Sequence, residues 1–334
     1  MSRVGAALLL LLLAGAGACS SGSSPPTRPR PLIAAPEPAH APVPAVRPAG
    51  TVLALGGGHP EGVVADPVSG LVVVALRGPD RLVLVDPAAH RVVRTVAVPA
   101  SARHLELVPE GGAVLVPGED TDLVTRVELP SGRVTGSVGV GKQPHDVAVV
   151  GDGSQYVADE FGGAVSLVRG GAVVQTFSGL LQPGGAAGTG DTATVVDVRA
   201  RLLHIYRRDR EVAALPAGEG PTHAVALQPG SVLVTDTTGG ALLRYDVRGA
   251  PRLVSSTPLP GQPYGTAYDA QRGLAFVTAT GRNLLAAYRL SGQGLSQVRT
   301  WPTVRNAYSV AVVPKTDRLV VLSESESQLQ FIDP

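Results

Sequence analysis

The chain has 334 residues, a formal net charge of +1 and 16% charged residues, which excludes the basic field that nucleic-acid binding requires. Aromatic residues make up 4%, too few for a broad stacking platform for bases or sugars. The single cysteine, Cys19, excludes an intrachain disulfide, so the folded part must be held by its core alone.

Arg3 opens a short positive region, and Val4 to Ala18 is apolar, with a leucine run from Leu8 to Leu13. This run is shorter than the roughly 20 residues that span a bilayer, and it ends in small residues, so residues 1–18 read as a secretory signal peptide. Ala16-Gly17-Ala18-Cys19 resembles the lipobox of bacterial lipoproteins, although the family prefers Leu where Ala16 stands. The resemblance implies lipidation of Cys19, membrane attachment through the lipid and an extracytoplasmic location. The alternative is an ordinary Ala-x-Ala cleavage that leaves a free thiol. Residues 19–50 then form a tether dense in Pro, Ser and Ala, too poor in apolar surface to offset its ordering entropy, and no packed structure is expected there. His40 belongs to this segment.

From residue 51 a phrase of the form x-Pro-x-x-apolar-x-apolar recurs. Its copies include His59-Pro60-Glu61, Ala102-Arg103-His104, Gln143-Pro144-His145, Gln182-Pro183-Gly184, Gly220-Pro221-Thr222-His223, Gln262-Pro263-Tyr264 and Asn306-Ala307-Tyr308. The spacing runs from 38 to 44 residues, a period that with β-type filling marks a radial or stacked repeat. The third copy shows the unit: strands at 145–150, 155–159, 164–168 and 173–177, separated by turns rich in Gly and Asp. No apolar stripe of helical period appears, so essentially no helix is expected. The fourth copy, with Gly184-Gly185, departs furthest from the pattern.

The last copy holds three strands, while an orphan strand, Thr51 to Leu55, precedes the first copy. Six full copies, three strands and one strand make seven blades. The expected fold is therefore all-β, a seven-bladed β-propeller over residues 51–334 in which the N-terminal strand completes the C-terminal blade. The segments Gln143-Pro144-His145-Asp146-Val147, Tyr156-Val157-Ala158-Asp159 and Ala164-Val165-Ser166-Leu167 resemble the YVTN-type repeat of YncE-like seven-bladed propellers. The resemblance implies the fold and leaves the function open.

In such a ring the start of strand one and the end of strand two share a face, so the residues after each repeated proline should surround the channel mouth. The candidate site there is Glu61, His104, His145, His223, Tyr264 and Tyr308, joined by Asp159 and Asp236 from the turns after strand two. Glu119, Glu160 and Glu324 belong to the same second set. His90 and His204 fall at outer positions and read, with His40, as surface residues. Histidine with carboxylate suits a divalent metal, with His104, His145 and His223 as its candidate ligands, and also suits proton transfer. The same residues suit polar caps that hold one blade to the next. Three functions follow as alternatives. The first is a lipid-anchored, non-catalytic module binding a protein or small-molecule ligand at the propeller face. The second is a lactonase-like hydrolase or lyase, and the third a metal-binding protein.

Overall fold

A computed structural model describes residues 33–334 apart from 293. The signal peptide, Cys19 and the tether as far as residue 32 lie outside the described residues. The described chain forms seven four-stranded antiparallel sheets arranged as the blades of a β-propeller. A single 3-10 turn, Thr280–Arg282, is the one helical element among the described residues. In the third blade the strands Pro144–Val149, Gln155–Asp159, Ala164–Arg169 and Ala172–Ser178 match the expected bounds to within a residue.

Short Val-rich strands suit this architecture because both faces of every blade are covered by its neighbours. Seven apolar clusters fill the ring, each shared between adjacent blades. The cluster at the closure, between the last blade and the first, is as full as the others, with Val72, Val74, Leu76, Val320, Leu322 and Leu329 all fully buried. The N-terminal strand Thr51–Ala54 pairs with Gln328–Ile332, Thr51 opposite Phe331 and Ala54 opposite Gln328. Leu53 and Leu55 reach the closure cluster. Without this strand the edge of Gln328–Ile332 would expose unpaired backbone groups.

The fourth blade is regular, contrary to its sequence. Its Gly185 stands where the next blade approaches: a Cβ there would lie 2.6 Å from the carbonyl oxygen of Thr222. The second blade is the irregular one, its inner strand cut to Glu106–Leu107.

The segment expected to be an unpacked tether differs from residue 33 onward. Residues 33–49 have no regular secondary structure, yet they lie as a strap against the propeller. The Ile33 carbonyl accepts from Arg199 Nε at 3.1 Å, and the Ala39 amide donates to Thr280 Oγ1 at 3.1 Å. The Ala41 amide donates to Asn306 Oδ1 at 2.8 Å, and the Pro42 carbonyl accepts from Asn283 Nδ2 at 2.8 Å. The Ala49 carbonyl accepts from Gln330 Nε2 at 2.7 Å. The strap thus runs from the fourth blade to the seventh, and Ala41 is 1% exposed. A Pro- and Ala-rich segment can do this because its own amides and carbonyls bind polar side chains of the blades, so no apolar stripe is needed.

A candidate ligand site at the channel mouth

Six of the seven inner strands carry a β-bulge just after the repeated position, between Pro60 and Val63, Pro144 and Asp146, Pro183 and Ala186, Pro221 and Ala224, Pro263 and Thr266, and Ala307 and Ser309. A bulge bends the strand and re-aims its side chains. The repeated motif is thereby converted into a ring of side chains at one end of the channel.

Two layers result. The residues two places after the repeated position form the inner layer: Gly62, His104, Asp146, Gly185, His223, Gly265 and Ser309. The glycines are set by contact, since a Cβ on Gly265 would lie 2.2 Å from the Tyr308 carbonyl oxygen. Asp146 Oδ2 accepts the Ala186 amide at 2.8 Å, which fixes that carboxylate to the next blade. His104 and His223 stand between these small or tied residues, their rings 4.7 Å apart. Both line the central channel, a cavity of about 360 Å³, and also a second cavity of about 350 Å³ under the strap.

The outer layer is ionic. Arg77 pairs with Glu61 and, at 3.1 Å, with Glu119. Arg103 pairs with Glu119 at 3.0 Å and with Glu61 at 3.7 Å. Two arginines and two glutamates therefore close a square. His145 extends it, with Nδ1 3.4 Å from Glu119 and 3.1 Å from Glu160, and Gln182 Nε2 donates to Glu160 at 2.7 Å. Burial opposes the charge on His145, but the two carboxylates outweigh it and raise its pKa to about 9. Burial likewise opposes the charge on Glu160, and His145 outweighs it, holding that carboxyl down at about 2. His145 is therefore a cation at neutral pH. His104 and His223 go the other way: burial lowers both, His223 well below the usual range, with further lowering by His104 and His145.

An aromatic arc completes the ring. His145 lies 4.9 Å from His104, His223 packs edge-on against Tyr264 at 4.2 Å, and Tyr264 lies 5.6 Å from Tyr308. The structure thus brings Glu61, His104, His145, His223, Tyr264 and Tyr308 to one mouth, with His104 and His223 one residue deeper than the others.

Asp159 and Asp236 do not join them. Asp236 accepts the amides of Glu219 at 3.0 Å, Gly220 at 2.8 Å and Gly239 at 2.9 Å, and Asp159 accepts from Ser166 Oγ at 2.6 Å. Both carboxylates are buried in the blade turns: backbone amides hold Asp236, while Ser166 holds Asp159, whose pKa burial raises to about 7. The residue one place later faces the mouth instead, which places Arg77, Glu119, Glu160 and Glu324 at corresponding positions. Arg77 and Arg103 are the residues of this candidate site that sequence reasoning passed over. Arg103, not His104, occupies the place of His145 in its own blade.

The ligand atoms of His104, His145 and His223 do not gather as one group. Among the described residues, the group of three or more with ligand atoms within 4.8 Å of one another is Glu119, His145 and Glu160. In that trio both carboxylates pair with His145, and Glu119 also meets the Arg103 guanidinium. Of the two outer histidines, His204 differs from expectation, while His90 remains half-buried at the surface. His204 is buried against Glu211 at 2.9 Å, and His90 stacks on Phe331 at 4.6 Å. His40 lines the cavity under the strap.

No protein-family model matches the chain, and a search of curated proteins finds no match. Solved structures do resemble it. The WD40 repeats of RRP9 align with a TM-score of 0.74 at 11% identity, over 86% of this chain and 98% of that one. Hydrazine synthase of Kuenenia stuttgartiensis aligns at 0.71 and 15% identity, over 85% and 98%. A streptogramin B lyase aligns at 0.70 and 11% identity, over 84% and 96%. Similarity at this level of identity establishes a shared β-propeller scaffold, one found in WD40 repeats and in enzymes, and nothing finer.

Proposed function

We propose that this chain is an extracytoplasmic lipoprotein, anchored through Cys19, whose propeller binds a small polar ligand at the channel mouth without transforming it. One observation carries the binding reading. A cavity of about 350 Å³ lies between a preformed ring of charged and aromatic side chains and the strap. Small-molecule sites are concave, largely preformed and furnished with a few convergent polar groups. The ionic square also pairs its charges before any ligand arrives, which favours recognition over reorganisation.

The anchor is tested by Cys19→Ser. The expected result is release from the membrane fraction, or accumulation of an uncleaved precursor; unchanged retention and mass would reject the lipid. The binding reading is tested by melting the full chain with small amines, carboxylates, phosphate esters and sugars. At least one class should raise the melting temperature, and the rise should vanish in Tyr264→Ala. If no class raises it, the mouth is not a ligand site.

A second reading, hydrolase or lyase, has one observation in its favour. His223 is buried, burial holds its pKa well below the usual range, and its Nδ1 has no hydrogen-bond partner among the described residues, so an unpaired imidazole nitrogen is available at the mouth. Under that reading a lactone or ester placed in the mouth is converted, and His223→Gln abolishes the conversion.

A further inference from the structure

The mouth is lopsided in charge and in chemistry. The arginines and the protonated His145 lie toward the first, second and third blades, where Glu61, Glu119 and Glu160 already pair with them. On the opposite side, at the sixth and seventh blades, no arginine ion-pairs with Glu37 or Glu324 among the described residues, although Arg103 lines the cavity and acts on the Tyr264 phenol from across it. There Tyr264 and Tyr308 stand 5.6 Å apart with their ring planes 55° apart, forming an aromatic corner. Burial raises the Tyr308 phenol to about 12, and Glu324, Glu37 and Glu61 add to it in that order, so three carboxylates bear on this one ring. Glu324 is met by His59 at 3.3 Å, a histidine whose side chain is 69% exposed. Glu37 comes from the strap, lines the cavity and makes no ion pair among the described residues. Around the whole mouth, Glu37, Glu61, Glu119, Glu160 and Glu324 outnumber Arg77, Arg103 and protonated His145 by two charges, although the chain as a whole is at +1.

His223 points the same way independently. It is 8% exposed and lines this cavity, and its Nδ1 lacks a partner. A buried ring nitrogen without a partner is costly to leave so, and with the ring proton on Nε2 a ligand N–H would satisfy Nδ1. An ammonium group suits all of these features together. It is attracted to the faces of two tyrosines, balances the excess of carboxylate and donates to an imidazole nitrogen.

We propose that the cavity between the strap and the channel mouth binds a small primary alkylammonium ion, and that Glu37 of the strap is one of its binding residues. The proposal rests on the ligand-binding reading of the mouth and names its chemical class. It also makes the strap part of the site: a bound cation ties Glu37 to the Tyr264–Tyr308 corner, so occupancy should hold residues 33–49 more firmly against the blades.

The probes are propylammonium chloride and, as a partner of similar size and opposite charge, sodium propionate, titrated calorimetrically into the full-length protein. Propylammonium should bind and propionate should not. Glu37→Gln and Tyr308→Leu should each weaken propylammonium about tenfold, and amide exchange of Ala39 and Ala41 should slow when it is present. Glu37→Gln should melt as the wild type does, which separates loss of binding from loss of fold. Propionate binding without propylammonium binding, lost in Arg103→Gln, would overturn the cation and leave the mouth as a site for anions. Propylammonium binding unaffected by Glu37→Gln and Tyr308→Leu would overturn the assignment to this corner. Absence of binding by propylammonium would overturn the proposal outright, while the broader panel still decides whether the mouth binds any ligand.

Discussion

Deleting Thr51 to Leu55 should cost about 5 kcal/mol or more, enough to remove most of the stability of an ordinary domain. The loss has two sources. Leu55 is 6% exposed and packs with Leu53 in the cluster between the last blade and the first. Removing a buried leucine side chain costs about 2–5 kcal/mol. The strand also supplies the hydrogen-bond partner of Gln328–Ile332, and each lost backbone bond costs about 1 kcal/mol, with a further penalty for any group left buried and unpaired. Two other deletions calibrate the result. Removing residues 20–32 should leave the melting temperature unchanged, because their composition offers no core to lose. Removing residues 33–49 should lower it by an intermediate amount, through loss of the contacts to Thr280, Asn283, Asn306 and Gln330. Thermal melts of the three deletions check the order. If loss of 51–55 moves the curve no further than loss of 20–32, the N-terminal strand does not close the ring.

The architecture was readable because the repeat writes each blade out and the ends of the chain complement one another. The ring of channel residues was readable for the same reason: a fixed place in a repeated strand becomes a fixed place around an axis. Three things were hidden. The docking of residues 33–49 left no trace because it uses backbone groups of the strap, and the side chains that receive them, such as Asn306 and Arg305, are far away in sequence. Asp159 and Asp236 resembled site carboxylates in spacing, but backbone amides at the turns claim Asp236, and Ser166 holds Asp159. The third is the phase of the second blade. Ala102 replaces the proline there, so Arg103 stands in the outer layer and His104 falls into the inner one beside His223. Glycines at 62, 185 and 265 were the available clue, because they mark the inner layer in three other blades.

The stability of the ionic mouth should depend on pH in a way that Glu160→Gln removes. His145 has a pKa raised from 6.5 to about 9, so the stabilisation it gains from Glu119 and Glu160 is complete below about 6.5 and is lost as pH rises through about 9. Glu160 has a pKa lowered from 4.5 to about 2, so the same interaction is complete above about 4.5 and is lost as pH falls through about 2. The stabilisation is therefore at its full value between about pH 4.5 and 6.5, and the contribution belongs to the pair, counted once. Their side chains are 12% and 7% exposed, so solvent screens the pair weakly. Breaking such a buried pair from one side costs about 3 kcal/mol, because the partner left behind remains desolvated. Glu119 stays 3.4 Å from His145 and softens the loss, so about 2 kcal/mol is expected for Glu160→Gln at pH 6. At pH 10 the imidazole is neutral in the wild type as well, and the gap between the two proteins should shrink to a few tenths of that. Urea denaturation of both proteins at pH 6 and pH 10 measures it, with His145→Gln as the complementary variant. A gap that stays the same at the two pH values would mean that His145 is not the cation that holds Glu119 and Glu160 together.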